Sequence, residues 1–249
     1  MGRVVYCLTM SMRRTDITRA LSVAWPIMAG YVAIGIPCGI MESALGLGAI
    51  TCFAISCTFY SGAGQFMIPN LLLAGVPAIS TIASVSFVNM RQALYSCAFA
   101  PRFAREGRLL SFLFAATVTD ESFGVNMERF RQDETWSAVS ALFVNVFSML
   151  SWACANAVGC ALGDVLDLPL AITSFAMTSI FICLAVSQPR TRQTLAAMAA
   201  AAVGVVVCKL VGLAGPAILI GGIVGVVAGV VCGGGREPGT ADVEEVGRA

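Results

Sequence analysis

An arginine, a tyrosine one helical turn behind it and two adjacent carboxylates stand inside stretches otherwise built from Ala, Val, Leu, Ile, Phe and Gly. Arg91 and Tyr95 lie at i and i+4 in NMRQALYS (89–96), and Asp120 and Glu121 lie together in TVTDESFG (117–124). A third polar set, Ser61 and Gln65, brackets Gly62 and Gly64 in FYSGAGQF (59–66), and a thinner one is Asn145, Trp152 and Asn156. An arginine at the centre of a membrane helix costs about 2.5–3.5 kcal/mol, so it turns to the protein interior and takes a partner. In a helix, Tyr95 shares the face of Arg91 while Asn89 points elsewhere. Asp120 or Glu121 is the expected partner. Adjacent side chains on a helix diverge, so the other carboxylate is expected to face a cavity and to carry protons there. The competing reading is a purely architectural ion pair at a span end.

The elements that would position these groups follow from composition. Of the 249 residues, 58% are apolar and only 12% charged, about half the charged share of an ordinary soluble domain. Mean hydropathy is +0.86. The expected fold class is all-α, a polytopic membrane protein with a bundle of about six to eight spanning segments. Apolar runs lie at about 20–41, 44–74, 77–100, 109–126, 136–160, 168–187, 194–213 and 216–233. Residues 1–19 read as a cytoplasmic N-terminal segment, 20–233 as the transmembrane domain and 234–249 as a polar, disordered tail.

The run 44–74 is too long for one simple span: about thirty helical residues reach roughly 45 Å, against a hydrocarbon core of about 30 Å. A break at Ser61–Gln65, unwound with the freedom of Gly62 and Gly64, makes it a broken or re-entrant helix. Arginine placement points the same way. Arg13, Arg14 and Arg19, then Arg102, Arg105 and Arg108, then Arg129 and Arg131, and finally Arg190 and Arg192 all read as cytoplasmic, with Asp164 and Asp167 outside. That parity requires both 44–74 and 109–126 to double back, an arrangement compatible with an inverted repeat. An ordinary bundle with one arginine loop breaking the bias is the alternative. Glu42 reads as a solvated residue of an external loop, and Lys209 as a lysine snorkelling to the interface. Gly221, Gly225 and Gly229 form a small-xxx-small face, packing internally or against a partner.

Several function classes fall away. A net charge of +1 offers no basic surface for nucleic acid. There is no P-loop, so no ATPase motif in this chain, and no histidine for zinc, haem or HExxH chemistry; no metal site and no cofactor are expected. The ten cysteines are scattered through apolar runs without a CxxC and read as small packing residues.

SGAGQF (61–66), NMRQALYS (89–96) and TDESFGV (119–125) together resemble, in order and spacing, the three signature stretches of the AzlC-type branched-chain amino acid permease family. LGDVLDLPLAITSFAMTSIFICLAVSQPRTR (162–192) is similar to that family's downstream segment, so the resemblance covers roughly 20–233. Gly64, Met90 and Gln92 depart from it, standing where Ser, Leu and His are common. The resemblance implies a multi-pass protein of the bacterial inner membrane. It also implies a small hydrophobic AzlD-type partner subunit and export of valine, leucine, isoleucine and methionine, driven by protons. An amino acid needs donors for its carboxylate and acceptors for its ammonium. Arg91, or helix N-terminal amides freed near Gly62 and Gly64, could serve the first, and Gln65, Ser61 or an acidic residue the second. Ser61, Gly62, Gly64, Gln65, Asn89, Arg91 and Tyr95 are thus the expected substrate-binding residues, with Asp120 and Glu121 coupling to protons. Two other classes remain beside a transporter: a membrane-embedded enzyme acting on a lipid-linked substrate, and a non-transporting scaffold subunit.

Overall fold

The computed structural model of the chain describes residues 14–165, 191–212 and 217–233, with single positions at 175, 178, 179, 182 and 186. The span expected at 168–187, the tail 234–249 and residues 1–13 of the N-terminal segment lie outside the described residues. All described regular structure is helical: α1 (Arg14–Ser43), α2 (Ala49–Thr58), α3 (Gly62–Leu73), α4 (Ala78–Phe103), α5 (Arg108–Thr117), α6 (Asp120–Gln132), α7 (Ala138–Val165), α8 (Arg192–Leu210) and α9 (Ala217–Cys232). Among the described residues three helical segments are long and apolar enough to cross a membrane: Asp16–Ser43, Ala138–Gly163 and Arg192–Leu210.

The chain divides into two compact units, one of residues 1–75 and 85–181, the other of 76–84 and 182–249. The first is organised on α1 and α7, whose backbones approach closely because glycines face each other. A Cβ on Gly39 would collide with the Asn156 carbonyl, and one on Gly159 would collide with the Ile36 carbonyl. Gly35 with Gly39, and Gly159 with Gly163, are spaced four apart, the small-xxx-small pattern that lets membrane helices touch along one face. Helix pairs in lipid gain little from hydrophobic burial, so this close packing, with the Ser151 hydroxyl donating to the Met28 carbonyl at 3.0 Å, holds the pair together. The start of α1 is tied to the turn between α6 and α7, where Arg19 pairs with Asp133 and donates to Thr135 at 3.2 Å. The Thr135 hydroxyl and backbone N–H, and then the Arg19 guanidinium, hold the exposed Asp133 carboxyl below the usual carboxylate range. Any stability from this group is present above its unfolded range and is lost as the pH falls through the lowered folded value.

Two helices of the first unit are interrupted. The first break, Phe59–Ser61, separates α2 from α3; the second, Val118–Thr119, separates α5 from α6. Each half is short, 10 residues in α2 and α5, 12 in α3 and 13 in α6. Ten residues rise about 15 Å, half of a hydrocarbon core. A hydroxyl residue restarts the helix at both breaks. The Ser61 side chain accepts from the Gly64 N–H at 3.1 Å. At the second break Thr119 and Ser122 form a reciprocal capping box, with the Thr119 N–H donating to Ser122 Oγ at 2.9 Å.

The position of the first break corrects the expectation of unwinding across Ser61–Gln65. Gly62 to Gln65 form the first turn of α3, and neither glycine adopts a positive φ. Gly64 is needed for space instead: a Cβ there would lie 2.8 Å from Ser61 Oγ and 3.0 Å from Asn89 Nδ2 and Phe59 Cζ.

In the second unit α8 and α9 pack on each other. A Cβ on Gly225 would lie 2.8 Å from that of Ala201, and one on Gly229 would lie 3.2 Å from that of Ala197. The small-residue face of α9 is therefore used internally. Lys209 sits exposed in the last turn of α8.

Candidate functional site

The three motif stretches, far apart in sequence, meet in the first unit. Residues 89–92 of α4 hold both breaks. The Ser61 hydroxyl donates to Asn89 Oδ1 at 2.7 Å, and Gln92 Nε2 donates to the Tyr60 carbonyl at 3.1 Å, supplying a partner to backbone that the break leaves outside the helical ladder. One residue away, Arg91 reaches the second break and pairs with Asp120 at 2.5 Å. Both side chains are about one-third exposed, at 35% and 30%. Asp120 is the first residue of α6, where free backbone N–H groups and the helix dipole favour an anion. Tyr95, on the same face of α4, stacks on Phe123 with ring centroids 4.6 Å apart, and its hydroxyl lies beside Asp120.

Asp120 is thus the partner of Arg91, as one of the two alternatives had it. Glu121 is exposed, and its Oε2 accepts from the Tyr31 hydroxyl at 2.7 Å. The Tyr31 hydroxyl also meets Thr119 Oγ1 at 2.9 Å, so α1 touches the second break directly. The Tyr31 ring packs edge-on against Tyr60 of the first break, at 6.3 Å, and against Trp152 of α7, at 5.4 Å. Tyr31 therefore bridges the two breaks from the α1 side, as residues 89–92 bridge them from α4.

Gln65, on the first turn of α3, is 1% exposed and sits in a closed polar cluster. Its carbonyl accepts from the Trp152 indole N–H at 2.6 Å, and its amide nitrogen donates to Glu42 Oε1 at 2.9 Å and to Ser56 Oγ at 2.7 Å. Both amide hydrogens are engaged by protein. Glu42, expected in a solvated external loop, is instead 3% exposed at the end of α1. The physical reason is its partner: Gln65 supplies a donor inside the unit that a loop position would have found in water. Ser61 is likewise buried at 2% exposure, and Gly62 and Asn89 are half-buried. Among the fourth set, Asn145 donates to Thr117 Oγ1 at 3.3 Å and accepts from Asn126 at 3.2 Å, while Asn156 Nδ2 is bonded to the Trp152 carbonyl at 2.9 Å.

Tyr31, Glu42, Ser56 and Asn126 were not singled out by sequence reasoning as site residues. Tyr31, Glu42 and Ser56 stand in apolar runs, the one signal that could have found them, whereas Asn126 lies in the charged helix α6 and carries no such mark.

A family model described as AzlC protein matches residues 26–166, more than half of the 249 residues. The chain is 27% identical over 160 residues to an uncharacterized membrane protein of Haemophilus influenzae, covering 63% of this chain and 64% of that one. It is 26% identical over 166 residues to the branched-chain amino acid transport protein AzlC of Bacillus subtilis, covering 66% of this chain and 64% of that one. It is also 26% identical over 214 residues to the inner membrane protein YgaZ of Escherichia coli, covering 84% of each. The match thus spans less than two thirds of the length of the first two relatives. No solved structure matches the chain. The matched stretch contains both breaks and the α4 residues that join them, and this chain is a membrane protein that belongs to the AzlC family.

Proposed function

We propose that this chain is the transporting subunit of an exporter for branched-chain amino acids (valine, leucine, isoleucine and also methionine), working by alternating access in a bacterial inner membrane. The observation that carries this reading is the joining of two capped helix breaks by one stretch of α4, residues 89–92. Discontinuous helices meeting at their capped ends offer free N–H groups to a substrate carboxylate and polar side chains to its ammonium. The name of the Bacillus subtilis relative supports the substrate class, and that of the Escherichia coli relative supports the inner membrane.

In this reading the part-exposed residues Asn89, Arg91, Tyr95, Asp120 and Glu121 form the substrate-facing wall. Ser61, Gly62, Gly64 and Gln65 shape the break behind it. Asp120 and Glu121 exchange protons with the aqueous side, the two breaks belong to an inverted repeat, and the chain crosses the membrane several times. A small hydrophobic AzlD-type subunit completes the exporter. A membrane enzyme is disfavoured because the acidic residues of the site are engaged by Arg91, Tyr31 and Gln65.

Cells loaded with a valine-containing dipeptide test this reading. With this chain and its partner expressed, internal valine is expected to fall severalfold faster than in control cells. A protonophore should abolish the difference, and ATP depletion should leave it while the gradient lasts. Equal valine retention with and without the chain would refute the proposal.

A further inference from the structure

We infer that Glu42 is a proton-binding site: its carboxyl carries a proton on Oε2 in this conformation, and this proton is moved in the transport cycle. The second half of that statement rests on the transport reading above; the first stands on geometry alone.

Donors and acceptors around Gln65 leave little freedom. The Trp152 indole N–H can only donate, so it fixes the Gln65 carbonyl as its acceptor at 2.6 Å. The Gln65 amide hydrogens must then point to Ser56 Oγ, at 2.7 Å, and to Glu42 Oε1, at 2.9 Å. Oε1 is thereby assigned as an acceptor, and Oε2 is left buried with no hydrogen-bond partner among the described residues. Among the described residues no cation pairs with this carboxyl. The ion pairs among the described residues join Arg19 to Asp133 and Arg91 to Asp120.

The titratable groups that face Glu42 are the thiols of Cys38, one turn earlier on α1, and of Cys52 on α2, with Cys160 of α7 beside Cys52. The Cys52 thiol lies close to the carboxyl, while Oε2 itself makes no hydrogen bond to a described residue. All of these neighbours are neutral. A buried carboxyl without a cation takes a proton rather than holding an uncompensated charge. Among the described residues no three His, Cys, Asp or Glu side chains are grouped so as to hold a metal ion, and the ligand assigned to this carboxyl is therefore a proton.

Glu42 also sits where a proton can act on the break. Its bond to Gln65 and the Gln65–Trp152 bond fix the first turn of α3 against α1 and α7. Loss of the proton would leave a buried carboxylate held by a single amide. The first turn of α3 would then have to move, or water would have to enter.

Infrared difference spectroscopy on the purified full-length chain tests the proton. At neutral pH the wild-type minus Glu42→Gln spectrum should contain the C=O stretch of a protonated carboxylic acid, and that band should shift in Glu42→Asp. Carboxylate bands in its place would overturn the inference. Should Glu42→Gln fail to fold, titrating the wild-type band with alkali and comparing it with Glu42→Asp decides the same point. Coupling is read in proteoliposomes. In Glu42→Gln the ratio of pH-gradient-driven flux to valine–valine exchange should fall about tenfold or more below that of wild type. An unchanged ratio would remove Glu42 from the cycle. If the wild type moves no valine in either assay, the transport reading fails, and the infrared result still decides whether Glu42 binds a proton.

Discussion

Gln65→Leu is expected to lower the stability of the purified protein by about 3–6 kcal/mol and to abolish transport, although Leu nearly matches Gln in volume. Three polar atoms lose their partner together: the Trp152 indole N–H, Ser56 Oγ and Glu42 Oε1. Each buried polar group left unsatisfied costs about 1–3 kcal/mol, and the three are linked enough that the costs will not simply add. Because Gln65 is 1% exposed, water cannot replace the lost bonds without opening the cluster. Gln65→Glu separates the hydrogen bonds from the volume. It keeps an oxygen for Trp152 but removes both amide donors and places a second carboxyl beside Glu42, so an intermediate loss is expected. The unfolding midpoint in detergent measures both variants. A Gln65→Leu protein as stable as wild type would mean that this cluster does not hold the break.

Removing one member of the Arg91–Asp120 pair should have unequal effects. Asp120→Asn leaves a guanidinium in an apolar helix without its carboxylate, and its Nε is already buried without a partner among the described residues. The cost approaches that of an unpaired membrane arginine, about 2–3 kcal/mol. Arg91→Gln leaves Asp120 at the first position of α6, where the helix N-terminus partly replaces the lost cation, and about 1 kcal/mol is expected. Both variants should lose most valine efflux, because Arg91 and the α6 N-terminus form the donor side of the proposed site. The double variant, Arg91→Gln with Asp120→Asn, should recover stability towards wild type without recovering efflux. Equal destabilisation by the two single changes would contradict the helix-terminus argument. Full efflux in Arg91→Gln would remove it from the substrate wall.

The interrupted helices were legible in the sequence because polar residues and glycines stood inside apolar runs of awkward length. The breaks themselves fall at Phe59–Ser61 and Val118–Thr119 because a hydroxyl restarts each helix, so the local signal was the capping residue rather than the glycines. Gly64 marks an approach by Asn89 and Phe59, and approach from another helix leaves no local trace. The Arg91–Asp120 pair was legible because a membrane arginine needs a carboxylate and few are available. Glu42 was misplaced for the converse reason. A carboxylate near Gly46 and Gly48 resembles a loop residue, and its burial depends on Gln65, 23 positions later in the chain. Tyr31 was invisible for the same reason, since its hydroxyl partners, Thr119 and Glu121, lie 88 and 90 positions away.

Valine is proposed to leave through the place where the two breaks meet, driven by protons. Radiolabelled valine flux from proteoliposomes holding the purified chain, with and without the proposed small partner, under an imposed pH gradient, tests this. Flux should follow the gradient, collapse with a protonophore and be lost in Arg91→Gln. Valine flux indistinguishable from that of empty liposomes, under any gradient, would contradict it.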